Sequence, residues 1–131
     1  IGFGRHVADG DSRGGTKVSL FDVSDPQHPQ ELDRMIFEDA FSDALYDHKA
    51  LLIDTSRSMI GFPLCVGGEL PYAFAVVGID ENQRLTVVRR VNTENPVYRG
   101  IRIGDVLFTV TENALSADAL FSEVHYTTLF F

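Results

Sequence analysis

Three stretches of this chain are variations on one another, and no other property restricts its fold as much. Ile1-Gly2-Phe3 returns as Ile60-Gly61-Phe62. Beyond a Gly-containing segment, each is followed by a long apolar run that closes near an aspartate: Val18-Ser19-Leu20-Phe21-Asp22-Val23 in one case, Phe74-Ala75-Val76-Val77-Gly78-Ile79-Asp80 in the other. Both lead through a polar turn into an amphipathic stretch, Glu31-Leu32-Asp33-Arg34-Met35-Ile36 and Arg84-Leu85-Thr86-Val87-Val88-Arg89-Arg90. A more compact third copy runs through Val106-Leu107-Phe108-Thr109-Val110, Ala114-Leu115-Ser116-Ala117-Asp118-Ala119-Leu120 and Glu123-Val124-His125-Tyr126-Thr127. A supersecondary unit of this size cannot bury its apolar surface alone, so copies in phase must stack on their neighbours.

Each copy is assembled from strand-like pieces. Residues 17–23, 31–37, 48–54, 59–66, 72–80, 84–92, 98–103, 106–111 and 123–131 are short runs rich in branched and aromatic side chains. Only 37–46 could support two helical turns. The connections carry turn chemistry: Asp25-Pro26-Gln27-His28-Pro29, Thr55-Ser56-Arg57-Ser58, Gly67-Gly68, Asp80-Glu81-Asn82-Gln83 and Gly104-Asp105. Tyr72-Ala73-Phe74-Ala75-Val76-Val77 is apolar without alternation, which demands cover on both faces of its sheet.

These readings converge on an all-β fold, a β-propeller fragment of successive four-stranded antiparallel blades. Residues 1–131 are expected to form a single partial domain, with blades at 1–54, 59–103 and 106–131, the last incomplete. Residues 45–54 and 98–103 are read as outer strands closing the first two blades. Phe3, Phe21, Phe62, Phe74, Val76, Phe108 and Val110 are the expected inter-blade core, each stabilising by about 1.5–3 kcal/mol when buried. A ring needs about 4–8 blades to close. Three leave open faces, so homo-oligomerisation through open blade edges is expected, with 126–131, ending in Leu129-Phe130-Phe131, the segment most in need of a partner.

The formal charge of −8, from 19 acidic against 11 basic residues, argues against nucleic acid and anionic lipid as partners. No apolar run approaches the ~20 residues that span a bilayer. The chain begins at Ile1 in what already reads as a strand, without initiator methionine or leader, and is expected to be a piece of a longer protein. Cys65 is the sole cysteine, which excludes an intramolecular disulfide; its neighbours Pro63, Leu64 and Val66 suggest a buried structural thiol. Arg89-Arg90, Arg99 and Arg102 alternate with apolar residues and read as the solvent face of outer strands.

Leu20-Phe21-Asp22-Val23-Ser24-Asp25-Pro26, Ala44-Leu45-Tyr46-Asp47-His48-Lys49-Ala50 and Ile103-Gly104-Asp105-Val106-Leu107-Phe108-Thr109-Val110 carry a resemblance. With them the chain resembles the C-terminal β-propeller domain of secreted bacterial and archaeal proteins, distantly related to WD-type repeats. The resemblance implies a propeller fold and a secreted or extracytoplasmic location, and brings no catalytic residues to carry over. The chain holds fewer blades than that family's full domain.

Several constellations could carry chemistry. Asp9 and Asp11, among glycines, offer two carboxylates to a calcium ion, although the distal glutamate of a calcium-hand loop is absent. Asp47-His48 with Ser56 or Ser58 could supply a hydrolytic triad, but no nucleophile-elbow glycine pattern surrounds either serine. His6, His28, His48 and His125 are scattered without the paired spacing of zinc sites. Glu38, Asp39 and Asp43 could be read as a glycosidase pair or as an acidic connecting loop, and the loop reading is preferred. The expectation is a non-enzymatic extracellular module that binds or scaffolds a protein or polymer ligand without a cofactor. The alternative is a calcium-dependent or hydrolytic domain with Asp9, Asp11, Asp47 and His48 at the propeller mouth.

Overall fold

The computed structural model of the chain describes residues 1–7 and 14–131. Its strands are β1 (Gly2–His6), β2 (Gly15–Asp22), β3 (Gln30–Glu38), β4 (Leu52–Asp54), β5 (Met59–Cys65), β6 (Tyr72–Ile79), β7 (Leu85–Thr93), β8 (Arg99–Ile103), β9 (Val106–Val110), β10 (Ala114–Ala119) and β11 (His125–Phe130). The segment that could have been helical contributes a short 3-10 turn at Asp43–Leu45, and a second one follows at His48–Ala50. The first is capped by the Ser42 hydroxyl and the second by the Asp47 carboxylate.

Three antiparallel sheets result among the described residues, in the orders β1-β2-β3, β4-β5-β6-β7 and β8-β9-β10-β11. The fold is thus all-β and built of meandering blades, but the boundaries differ from those expected. Leu52–Asp54 and Arg99–Ile103 open the second and third sheets instead of closing the first and second. The third sheet therefore has four strands, and three are described in the first.

Turn geometry explains the difference. Gly104, at φ +60, is the first central residue of a two-residue turn that folds Ile103 back opposite Val106. At Asp54 the carboxylate accepts from the backbone N–H groups of Ser56 and Arg57, and Ser58 adopts φ +53, so Asp54 returns opposite Met59. A tight hairpin pairs a strand with the strand that follows it, whichever copy it was assigned to.

The second sheet lies between the other two. Ile60, Phe62, Leu64, Ala73, Ala75 and Val77 pack with Val18 and Leu20 of the first sheet, while Met59, Phe74 and Val76 pack with Leu107 and Leu120 on the third-sheet side. Alternate residues of β6 thus serve opposite interfaces, which is why Tyr72 to Val77 shows no polar face. The Phe62 ring sits 4.8 Å from Phe3 and edge-on to Phe37 at 5.5 Å. On the other side, the Phe74 ring occupies the space where Gly61 and Gly100 lack a Cβ.

The repeat is reproduced down to a defect. In each sheet the register of the last strand slips by one residue, leaving Leu32, Val88 and Tyr126 as bulged residues between consecutive pairs. The residue just past the bulge is Asp33, Arg89 or Thr127. Asp33 accepts hydrogen bonds from the Leu85 N–H at 2.8 Å and from Arg84 Nε at 3.2 Å, which tie the first sheet to the second. Arg89 donates to Asp118 and Glu123 of the third. Thr127 holds the equivalent position on the free side of the third sheet and is exposed.

Three expectations are corrected here. Arg89, read as a solvent-face residue, is only 6% exposed, and Arg102 is largely covered with its guanidinium on Asp54. The bulge turns Arg89 toward the next sheet. Phe21 is 41% exposed because its side of β2 has no sheet against it among the described residues, and Phe108 and Val110 are half-buried on the free side of the third sheet. Cys65 is exposed: it is the last residue of β5, its side chain points to the face opposite Leu64, and its backbone pairs with Tyr72 and Phe41.

Candidate functional site

Across the third sheet, Gly100, Thr109, Ser116 and Thr128 form one cross-strand row, and Arg102, Leu107, Asp118 and His125 form the next. Both rows face the second sheet. Asp118 is 2% exposed, and its Oδ1 meets His125 Nδ1 at 2.9 Å and Arg89 Nη2 at 3.5 Å. On the far side of the imidazole, His125 Nε2 lies 3.0 Å from Thr128 Oγ1, which in turn lies 3.2 Å from Ser116 Oγ. An arginine, a carboxylate, an imidazole and two hydroxyls thus run in one continuous hydrogen-bonded chain from the blade interface to the surface. Arg89 Nε and Asp118 Oδ2 remain buried without a hydrogen-bond partner among the described residues.

The carboxylate–imidazole–hydroxyl order is that of a hydrolytic triad, in which the acid orients the base and the base accepts the hydroxyl proton. Two features change its meaning. Asp118 shares the oxygen that holds His125 with a buried guanidinium, and the hydroxyl at the other end is shared with Ser116. Such a chain also braces β10 against β11 and both against β7.

A second ionic tie closes the opposite end of this interface. Arg102 Nε meets Asp54 Oδ2 at 2.5 Å, and Arg57 Nη1 meets Asp105 Oδ1 at 2.7 Å while its guanidinium lies 5.4 Å from the Phe121 ring centre. The Ser56 hydroxyl, first, with the Arg57 N–H and the Arg102 guanidinium, holds the Asp54 carboxyl below its ordinary range against burial that acts the other way. Asp33 is lowered chiefly by the Leu85 N–H, and Glu31 by the Ser19 hydroxyl.

Between the end of β7 and β10–β11 lies a cleft of about 290 Å³. Asn92, Asn95 and Asn113 line it together with the Ser116 and Thr128 hydroxyls and Phe130. The hydrogen-bonded chain therefore ends in a polar recess.

The residues singled out from sequence do not converge. Asp9 and Asp11 lie outside the described residues. The Asp47 carboxylate accepts from the Lys49 N–H, Ser56 hydrogen-bonds Asp54, and no hydrogen bond joins either to His48 among the described residues. His28 pairs with Asp25 at 2.9 Å in an exposed turn, and no group of metal-ligating residues gathers among the described residues. Glu38 ends β3, Asp39 follows it and Asp43 opens the first 3-10 turn; all three are exposed.

The relay was missed because its spacing is irregular. Ser116 and Asp118 share a face by strand alternation, but His125 and Thr128 would fall on opposite faces of a regular strand. The bulge at Tyr126 brings them together.

No helix among the described residues is long and apolar enough to cross a membrane. An uncharacterized protein of Archaeoglobus fulgidus is 29% identical over 107 residues, a match covering 82% of this chain and 16% of that protein. The chain thus spans a small part of the relative's length. The β-propeller domain model matches residues 1–122, from β1 through β10. With its sheets stacked in sequence order and latched at equivalent positions, the chain belongs to the β-propeller domain family.

Proposed function

We propose that this chain is part of an extracytoplasmic, non-enzymatic propeller that binds or scaffolds a protein or polymer ligand. The observation that carries the reading is the use of the Asp118–His125–Thr128 relay. Its acid is bound to Arg89 of the neighbouring sheet and its hydroxyl to Ser116, so it serves as a brace between blades. The extracytoplasmic setting rests on the resemblance of 20–26, 44–50 and 103–110 to secreted propeller proteins. The formal charge of −8 supports a ligand other than nucleic acid.

The free face of the third sheet supports the scaffolding part. Ile101, Phe108 and Ala117 form one apolar row across it, and Val110, Leu115 and Leu129 another. Equivalent rows in the first two sheets meet the following sheet. A further blade of the same propeller covers this face, and in the isolated chain a second copy takes its place. Sedimentation velocity should then show concentration-dependent association that Phe108→Glu abolishes; a strictly monomeric chain at all concentrations overturns this part.

The relay favours one second reading, a hydrolase with Thr128 as nucleophile. Hydrolysis of p-nitrophenyl acetate decides between them. The binding reading expects no turnover above that of Thr128→Val, and turnover lost in both Thr128→Val and His125→Ala overturns it. For the calcium alternative at Asp9 and Asp11, a melting temperature raised by calcium and lowered by chelator would establish a native-state metal.

A further inference from the structure

We infer that the cleft between the end of β7 and the β10–β11 hairpin is a saccharide subsite, an inference that rests on the binding-module reading and names its ligand class. Its volume of about 290 Å³ lies near the lower end of ligand pockets, which suits one or two sugar rings. No lysine, arginine or histidine is among its described lining residues, and Arg90 reaches it only through Asn92, whose Oδ1 accepts from Arg90 Nε at 3.2 Å. Its polar groups are instead neutral amides and hydroxyls, with Glu94 the one carboxylate.

Those groups are already set in place. Asn113 Oδ1 accepts from Asn95 Nδ2 at 3.3 Å and from the Thr111 hydroxyl at 3.2 Å, which leaves Asn113 Nδ2 as a donor and Asn95 Oδ1 as an acceptor. Adjacent donors and acceptors of this kind match the vicinal hydroxyls of a pyranose, each of which both gives and accepts a hydrogen bond. The Thr128 hydroxyl is fixed by His125 Nε2, and His125 is fixed by Asp118, so the relay orients a cleft hydroxyl. Phe130 is 72% exposed at the rim and supplies an apolar face for the C–H side of a sugar ring.

Titration of isotope-labelled protein with cellobiose, mannobiose and N,N′-diacetylchitobiose, followed by amide chemical shifts, tests the assignment. At least one disaccharide should give saturable shifts confined to 92–95, 111–116 and 128–130, with a millimolar dissociation constant. Phe130→Ala and Asn113→Ala should each weaken binding by about tenfold while leaving circular dichroism and melting unchanged. Absence of saturable shifts, shifts elsewhere, or unchanged binding by Phe130→Ala overturns the saccharide subsite. A short serine- and asparagine-containing peptide, titrated in parallel, separates the two levels of the reading. Its binding in place of the sugars ends the saccharide assignment and keeps the binding module, whereas ester turnover through Thr128 ends the module reading itself.

Discussion

Between the first and second sheets the contact is mainly apolar and aromatic, with Phe62 held between Phe3 and Phe37 and backed by Val18, Leu20 and Leu64, and Asp33 with Arg84 and the Leu85 N–H as its polar tie. Between the second and third, a smaller apolar cluster around Phe74, Leu107 and Leu120 is bracketed by ion pairs, Arg89 with Asp118 at one end and Asp54 with Arg102 at the other. The same blade repeat thus tolerates two solutions at one interface. Apolar burial supplies stability without direction, whereas buried ion pairs contribute little net stability and penalise every misaligned register. The first junction is therefore the one that holds the fold, and the second the one that fixes where a blade sits and aims the side chains of the cleft.

The largest effects should come from emptying either apolar contact. Phe62→Ala and Phe74→Ala should each cost about 3–5 kcal/mol in urea unfolding, because neighbouring sheets cannot collapse fully into the space. If Phe62→Ala proves much milder than Phe74→Ala, the ranking of the two junctions is reversed.

Next comes the buried pair. Arg89→Ala should cost about 3 kcal/mol by leaving the Asp118 carboxylate in the interface without its guanidinium, whereas Arg89→Met with Asp118→Leu should restore most of that loss. A double variant as unstable as the single one would show that the pair stabilises the junction and does more than align it. Gly100→Ala should cost about 1–3 kcal/mol, since its Cβ would enter the Phe74 ring, while alanine at Gly4, which meets nothing within 4 Å, should have little effect. Equal melting temperatures for the two glycine variants would remove the close approach from the account.

The smallest effect is a dependence on acid. Asp54 and Asp33, both at sheet junctions, have folded-state values lowered from 3.8. Their contribution is complete above the unfolded-state value and is lost as pH falls from about 3.8 through the lower folded one. The urea midpoint should decline over that window, and less so in Asp54→Asn. A parallel decline in wild type and Asp54→Asn would mean that the Asp54 carboxylate is not the acid-sensitive element.

Much of the fold was legible because it rests on local rules. The three copies, the strand-rich pieces, the turn at Gly104-Asp105 and the two-faced apolar run of β6 could all be read from residue type and spacing. The strand assignment at the copy boundaries failed where the repeat in sequence was mistaken for the unit of hydrogen bonding. The turn after Asp54 and the turn at Gly104 instead join each boundary strand to the sheet that follows. The candidate site was almost wholly hidden. Arg89 reads as a surface charge and His125 as one of four scattered histidines, and nothing in the spacing of His125 and Thr128 places them together.

What the sequence determined by itself is the class of the chain: alternation, turn formers and an internal repeat require stacked antiparallel sheets, because these are short-range properties that each copy carries whole. What tertiary structure alone decided is which residues meet. One unpaired residue in each final strand, Leu32, Val88 or Tyr126, rotates the next side chain toward the neighbouring sheet, and that rotation makes a buried latch of Arg89 and a relay of Asp118, His125 and Thr128. The three bulged residues share no residue type, so nothing in the order of amino acids marks where the pairing slips.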